Sequence, residues 1–226
     1  MKIISLSSSI AGPACSIACS IKKKFYNESN SYPTNMFDYL EISLLSIIQI
    51  LESENSKDKI NSNYEIYLNK DNKNSVKFNN YDHIISHHDL PNFYSEEQLS
   101  DVIEKYKRRY DRLINYIKSE DKIFFIRYGL EDFNMIDYFF NVIKRINPNL
   151  EVFFINIIYN LDNNITEIFN KNYTLLNFNN YIDKTRNYSD DLFYKIIEFD
   201  WSIINRIITL NLTEDEIKNL YTFSKD

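Results

Sequence analysis

Two continuous apolar runs constrain the fold of this chain more than any other feature. Lys122-Ile123-Phe124-Phe125-Ile126 and Glu151-Val152-Phe153-Phe154-Ile155-Asn156-Ile157-Ile158 show no apolar-polar alternation. A strand built from either run must bury both of its faces, and such strands belong to parallel sheets covered by helices on both sides. The segment between them carries Ile136, Phe139, Phe140 and Ile143 at helical spacing and stops at Asn147-Pro148. Strand, covering helix, strand is the unit from which such sheets are assembled.

The rest of the chain is consistent with that rhythm. Ile3-Ile4-Ser5-Leu6 is a short apolar strand, followed by the small-residue loop Ser7 to Pro13 and a helix opened by Cys15, with Ala14, Ile17, Ala18 and Ile21 on one face and Lys22, Lys23 and Lys24 in the last turn. Those lysines suit the negative end of the helix dipole. Met36 to Leu51 reads as a second helix, with Asp38 at its start as an N-terminal cap or, in the sharper reading, a site residue. Tyr64–Leu68 and Ser75–Phe78 alternate around a turn and predict a peripheral hairpin. His83 to Pro91 reads as a short strand ending in a polar cluster. Ser95-Glu96-Glu97-Gln98 has capping-box spacing and opens the best helix of the chain. Tyr173–Phe178 is a further strand candidate, Ser189-Asp190-Asp191 caps a long helix running through Trp201 to Ile208, and Thr213 to Glu216 caps a last short one. The expected fold is α/β: three layers, a mostly parallel sheet with helices on both faces and a small hairpin insertion, in a single domain over residues 1–226.

Ligands of such sheets bind beyond the carboxyl ends of the strands. Those ends are Ser7, Ser8 and Ser9 with Cys15, then His87, His88 and Asp89, then Arg127 and Tyr128, then Tyr159 and Asn160. A thiol, an imidazole, carboxylates and a guanidinium would thus share one crevice. At a helix start Cys15 meets unpaired amides that stabilise a thiolate. A thiol nucleophile also needs an imidazole to move the proton and a third group to orient it. The three histidines, His83, His87 and His88, all lie in one segment. Cys15 and His88 could fill the first two roles, with Asp89, Asp38 or Asp132 as orienter; His87 with Asp89 is the internal alternative. Ser8 or Ser9 with the helix amides would form an oxyanion hole.

The ordered set Ser5-Leu6, Cys15-Ser16-Ile17-Ala18-Cys19-Ser20-Ile21-Lys22, Phe37-Asp38-Tyr39, His88-Asp89, Lys105-Tyr106-Lys107-Arg108-Arg109 and Phe125-Ile126-Arg127 resembles a family, found in bacteria and large DNA viruses, described as putative papain-like cysteine peptidases. In that family a strand ending Ser-Leu-Gly precedes Cys-x-x-Ala-x-x-Leu-Lys, and Phe-Asp-Trp follows. Ser7 stands here where the family has glycine, and Ile10 to Ala14 lengthens the loop before Cys15. The resemblance spans roughly the first 130 residues and implies a cysteine peptidase with Cys15 as nucleophile and His88 as base.

Two other function classes stay open. One is a transferase or hydrolase for a phosphorylated or nucleotide-sugar ligand, held by Ser7, Ser8 and Ser9 at the helix start and clamped by Arg127. The other is a non-enzymatic interaction module. No cofactor is expected: with two glycines in the chain there is no glycine-rich nucleotide fingerprint, and two cysteines are too few for a structural zinc site. The net charge of -6 argues against general nucleic-acid binding. No run approaches the 18 or so apolar residues of a membrane span, and free cysteines suit a reduced cytoplasmic setting. Lys105, Lys107, Arg108, Arg109 and Arg112 line one helix face, which is either solvated or docks an acidic partner.

Overall fold

The computed structural model describes residues 1–8, 15–26, 32, 34–53, 64–68, 74–80, 84–86, 89–91, 93–129, 131–159, 167–178, 196 and 199–217. Its strands are β1 (Lys2–Ser8), β2 (Leu40–Ile42), β3 (Tyr64–Leu68), β4 (Asn74–Phe78), β5 (Ile84–Ser86), β6 (Lys122–Tyr128), β7 (Glu151–Ile158), β8 (Ile168–Asn170) and β9 (Tyr173–Asn177). The helices are α1 (Ser16–Phe25), α2 (Leu44–Glu52), α3 (Glu96–Ser119), α4 (Phe133–Ile146) and α5 (Ser202–Leu210). The strands form one nine-stranded sheet in the order β3-β4-β5-β2-β1-β6-β7-β9-β8.

The centre of the sheet, β2-β1-β6-β7-β9, is parallel. Its flanks are antiparallel: β5 against β2, the β3-β4 hairpin outside β5, and β8 against β9. The α/β class and the edge hairpin are as the sequence indicates, while the antiparallel course of β5 and the added strands β2 and β8 are not.

The apolar runs explain the layering. In β6, Ile123 and Phe125 enter one core while Phe124 and Ile126 enter the other; in β7, Val152 and Phe154 face the first core and Phe153 and Ile155 the second. Side chains alternate across a strand, so a run apolar at every position feeds two cores. The first core is closed by α2, α3 and α4, the second by α1 and α5. Thus β1 is followed by a helix on one face, and its neighbours β2 and β6 by helices on the other. A crevice opens where the connections diverge in this way.

Two helix boundaries differ from the sequence reading. The second helix starts only at Leu44, because Ser43 caps it by accepting from Ser46 N at 3.0 Å, and residues 40–42 pair in the sheet instead. The last long helix is interrupted: Asp200 accepts from Ser202 N at 2.9 Å, and α5 begins afresh there. Ser189-Asp190-Asp191 lie outside the described residues. The capping box at Ser95 and Gln98 forms as its spacing dictates. Among the described residues no helix is long and apolar enough to cross a membrane.

β1 and β2 share a single register pair, Ser8 with Glu41. Arg127 secures this thin seam. Its guanidinium is fully buried, donating from Nη1 to Leu6 O at 2.8 Å, from Nη2 to Ile42 O at 2.7 Å and from Nε to Glu131 at 2.5 Å. Burial draws the Arg127 pKa down and Glu131 opposes the shift; an arginine stays charged regardless. Arg127→Met removes a donor from each of two buried carbonyls and the cation from Glu131. Loss of one partner of a buried ion pair costs about 3–5 kcal/mol, so urea unfolding should show a loss of that size. A loss below about 1 kcal/mol, the scale of an exposed pair, would show that the seam does not depend on Arg127.

Candidate active site

Cys15 is the residue that starts α1, with φ -96° and ψ -11°; its carbonyl accepts from Cys19 N at 3.0 Å. Both cysteines are free and partly exposed. The Cys15 thiol, hydrogen-bonded to that of Cys19, draws the Cys19 thiol down to about 7 against the opposing effect of burial, with Lys22 helping. The four-residue spacing therefore brings the sulfurs together on one helix face.

Beside β1, residues 32 and 34–39 fill the edge that the short β2 leaves unpaired. Asn35 Nδ2 donates to Ser5 O at 3.1 Å, in the place of a strand partner. This segment crosses the sheet: Tyr32 packs in the α1 core, Met36 and Phe37 in the opposite core, and Tyr39 returns to the α1 side. Asp38 ties the crossing together and is wholly buried. Its Oδ1 accepts from Tyr32 Oη at 2.7 Å and Asn35 Nδ2 at 2.8 Å, and its Oδ2 from Asn35 N at 2.9 Å. It caps no helix. Burial pushes its carboxyl up to about 7, although these hydrogen bonds and the nearby Arg109 pull the other way.

Tyr39 takes φ 67°, a left-handed conformation that costs a bulky residue about 1–3 kcal/mol. Its half-buried ring lies under Arg109, whose guanidinium carbon is 5.9 Å from the ring centre. Burial pushes the Tyr39 phenol up to about 12; Asp38, Cys19 and Cys15 push the same way and Arg109 pulls it back. The phenol is thus within electrostatic reach of both thiols and of the guanidinium.

The antiparallel strand β5 ends at the same place, since Ser86 is in register with Leu40, next to Tyr39. Three residues on, Asp89 accepts from Ser86 Oγ, Lys105 Nζ and Tyr106 Oη. Burial pushes the Asp89 carboxyl up, but these donors outweigh it and hold it below its ordinary value. His83, His87 and His88 lie outside the described residues. The residues bracketing His87 and His88 are fixed at Leu40 on one side and at α3 on the other.

The remaining sequence candidates fall in different places. Ser7, at φ 58°, donates its hydroxyl to Leu40 O and is buried; a left-handed backbone accounts for glycine where the resembling family has one. Ser8 is in register with Tyr128, which packs on the α1 face, and its buried Oγ has no partner among the described residues. Ser9 is outside the described residues. Arg127 sits at the seam with its donors engaged as above. Asp132 is the exposed N-cap of α4, accepting from Asn134 N at 2.7 Å. The basic face of α3 is largely engaged within the chain: Lys105 pairs with Asp89, Lys107 with Glu104, and Arg112 donates to Thr34 O at 2.9 Å. Among the described residues no group of His, Cys, Asp and Glu side chains is gathered as for a metal.

A family model described as "Putative papain-like cysteine peptidase (DUF1796)" matches residues 2–164. The chain belongs to this family. The matched span runs from β1 through β7, and so includes the cysteines, the Asp38 turn, β5 and the basic helix α3. No curated protein and no solved structure matches the chain.

The sequence marks Asp38 as a helix cap or a site residue and Arg109 only as part of a basic helix face. Asp38 reads as a helix cap because Ile42 to Leu51 follow it, and its burial depends on Tyr32 and Asn35, which no local pattern marks. Arg109 is one of five cations on a polar helix face and is singled out only by its contact with Tyr39.

The position of Asp38 predicts a pH dependence. Its carboxyl has a pKa of about 7 in the fold against an ordinary 3.8, so between those values the native state keeps a proton that the unfolded chain has lost. Stability should fall as pH rises through that window, by roughly 4 kcal/mol at most, and level off above it. Denaturation of the wild type from pH 4 to 8 should show the decline, and Asp38→Asn should flatten it. An identical slope in the variant would locate the titration elsewhere.

Proposed function

We propose that this chain is a cysteine peptidase or a related thiol-dependent acyl-transfer enzyme, with Cys15 as the nucleophile and His88 as the base. The observation that carries this reading is the placement of Cys15 at the amino end of α1, hydrogen-bonded to the second thiol, in a chain of the family described as "Putative papain-like cysteine peptidase". Unpaired amides and the positive end of the helix dipole favour a thiolate at Cys15, whereas the hydrogen bond from Cys15 favours one at Cys19, one turn further along.

In the proposed reaction the Cys15 thiolate attacks the substrate carbonyl carbon and forms a carbon-sulfur bond. His88 holds the proton and delivers it to the leaving amine or alcohol as that bond breaks. Water, deprotonated by His88, then displaces the thiolate from the acyl-enzyme; an acceptor amine or alcohol in its place makes the reaction a transfer. Ser8 Oγ, buried and without a partner among the described residues, suits the developing oxyanion together with Ser9 and the helix amides. Asp89, engaged by Lys105, Ser86 and Tyr106, supports this site by anchoring the stretch that bears His88 to α3. Ser7 and Arg127 shape it through the β1-β2 seam.

A phosphorylated or nucleotide-sugar ligand is the less favoured alternative. It relied on Arg127 to receive the charge, and the Nε, Nη1 and Nη2 donors of that guanidinium are directed to Glu131, Leu6 and Ile42.

The pH profile of iodoacetamide alkylation tests the proposal, with the two cysteines resolved by peptide mapping. Cys15 should react with an apparent pKa at least about one unit below the ordinary thiol value of about 8.5, and faster than Cys19. In His88→Ala that advantage should fall at least about ten-fold, the lower range for a lost acid-base partner being about a hundred-fold in catalysis. Preferential labelling of Cys19, or a Cys15 profile untouched by His88→Ala, would remove the proposed pair.

A further inference from the structure

We propose that Arg109 makes this crevice selective for substrates that carry a carboxylate beside the reacting carbonyl. The inference rests on the reading of Cys15 as nucleophile and adds to it the charge of the substrate.

The argument begins with the cations of α3. Lys105 is bound by Asp89, Lys107 by Glu104 and Arg112 by Thr34. Arg108 is exposed, whereas Arg109 is half-buried and turned onto the face of Tyr39. No described carboxylate lies within ion-pair distance of Arg109. Asp38, the acid nearest to it in electrostatic terms, has its two oxygens occupied by Tyr32 and Asn35. A half-buried guanidinium held on an aromatic face keeps its edge donors for a planar anion.

The location fixes what that anion belongs to. Tyr39 packs against the core that contains Ile17, Ala18 and Ile21 of α1, so its ring lies between the cysteine helix and α3. A substrate whose carbonyl meets Cys15 therefore extends its neighbouring groups over the Tyr39 ring toward Arg109. Carboxylate is the matching chemistry, since its two oxygens accept a guanidinium's parallel donors. An acidic side chain and a chain-terminal carboxylate both supply it.

Three alkylating probes with one reactive group separate these cases: neutral iodoacetyl-glutamine amide, iodoacetyl-glutamate amide with a side-chain carboxylate, and iodoacetyl-glutamine with a free terminal carboxylate. In each, the Cys15 sulfur bonds to the methylene carbon and iodide leaves. At least one charged probe should modify Cys15 about ten-fold faster than the neutral one, the scale of a partly screened charge-assisted hydrogen bond. Whichever is faster identifies the carboxylate as side-chain or terminal. Arg109→Met should abolish the difference, Arg109→Lys should keep most of it, and Arg108→Met should keep all of it. Thermal melts of each variant establish that it is folded. If the charged probes gain nothing over the neutral one, or keep their gain in folded Arg109→Met, the selectivity proposal fails and the thiol reading stands. If Cys15 takes none of the three, both fail.

Discussion

The buried guanidinium of Arg127 is the interaction on which the centre of this molecule depends. Three elements far apart in sequence meet at it: Leu6 on β1, Ile42 at the end of β2, and Glu131 just before α4. A backbone ladder could have joined β1 to β2, but the two strands share one register pair. A side chain from β6 does that work by reaching across β1. The desolvation cost of a charge at this depth is large. It is offset by the hydrogen bonds to two buried carbonyls and by the partly buried carboxylate of Glu131. The outcome is a sheet that is stiff at β6 and deliberately incomplete beside β1.

That incompleteness makes the site possible. Where a full-length β2 would run along β1, the chain instead carries a turn that passes from one core to the other and back. Asn35 takes over the hydrogen bond at Ser5, and Asp38 holds the turn closed. Because the turn reaches both faces, it brings the cysteine helix on one side within range of the basic helix on the other. Neither helix could approach the other through an intact strand. Asp38 pushed up to about 7 by burial is the electrostatic consequence of sealing such a turn with a carboxylate.

The legible parts of the chain are those where local pattern and tertiary context agree. Both apolar runs became central strands because a residue apolar at every position has no solvent face to prefer. Ser95 and Gln98 formed their box because a capping box needs only its own four residues. Ser43 also caps locally, yet the helix start was misplaced eight residues upstream. Met36, Phe37 and Leu40 carry the same apolar periodicity as the helix that follows, and nothing in periodicity separates a core-crossing turn from a first helical turn. The antiparallel course of β5 was illegible for another reason: direction in a sheet is fixed by pairing partners, which a three-residue strand does not encode. Strand-end logic places Arg127 at a crevice without saying whether its side chain points in or lies across the sheet, as it does toward Leu6 and Ile42.

The two strained positions tie these points together. Ser7 and Tyr39 are the non-glycine residues with positive φ among those described, and they flank one contact, the Ser7 hydroxyl on the carbonyl of Leu40. Each bends its strand at the point where β1 stops pairing with the turn and starts pairing with β2. Glycine at either place would relax the backbone, but Ser7 would then lose the hydroxyl that fixes the bend, and Tyr39 the ring that carries Arg109. Backbone strain of this kind persists only where surrounding contacts over-determine it. Here those contacts are Asp38 on one side and the Arg127 seam on the other. The strain is therefore the cost of placing an aromatic platform between a thiol pair and a cation in a chain whose sheet would otherwise have kept them on opposite faces.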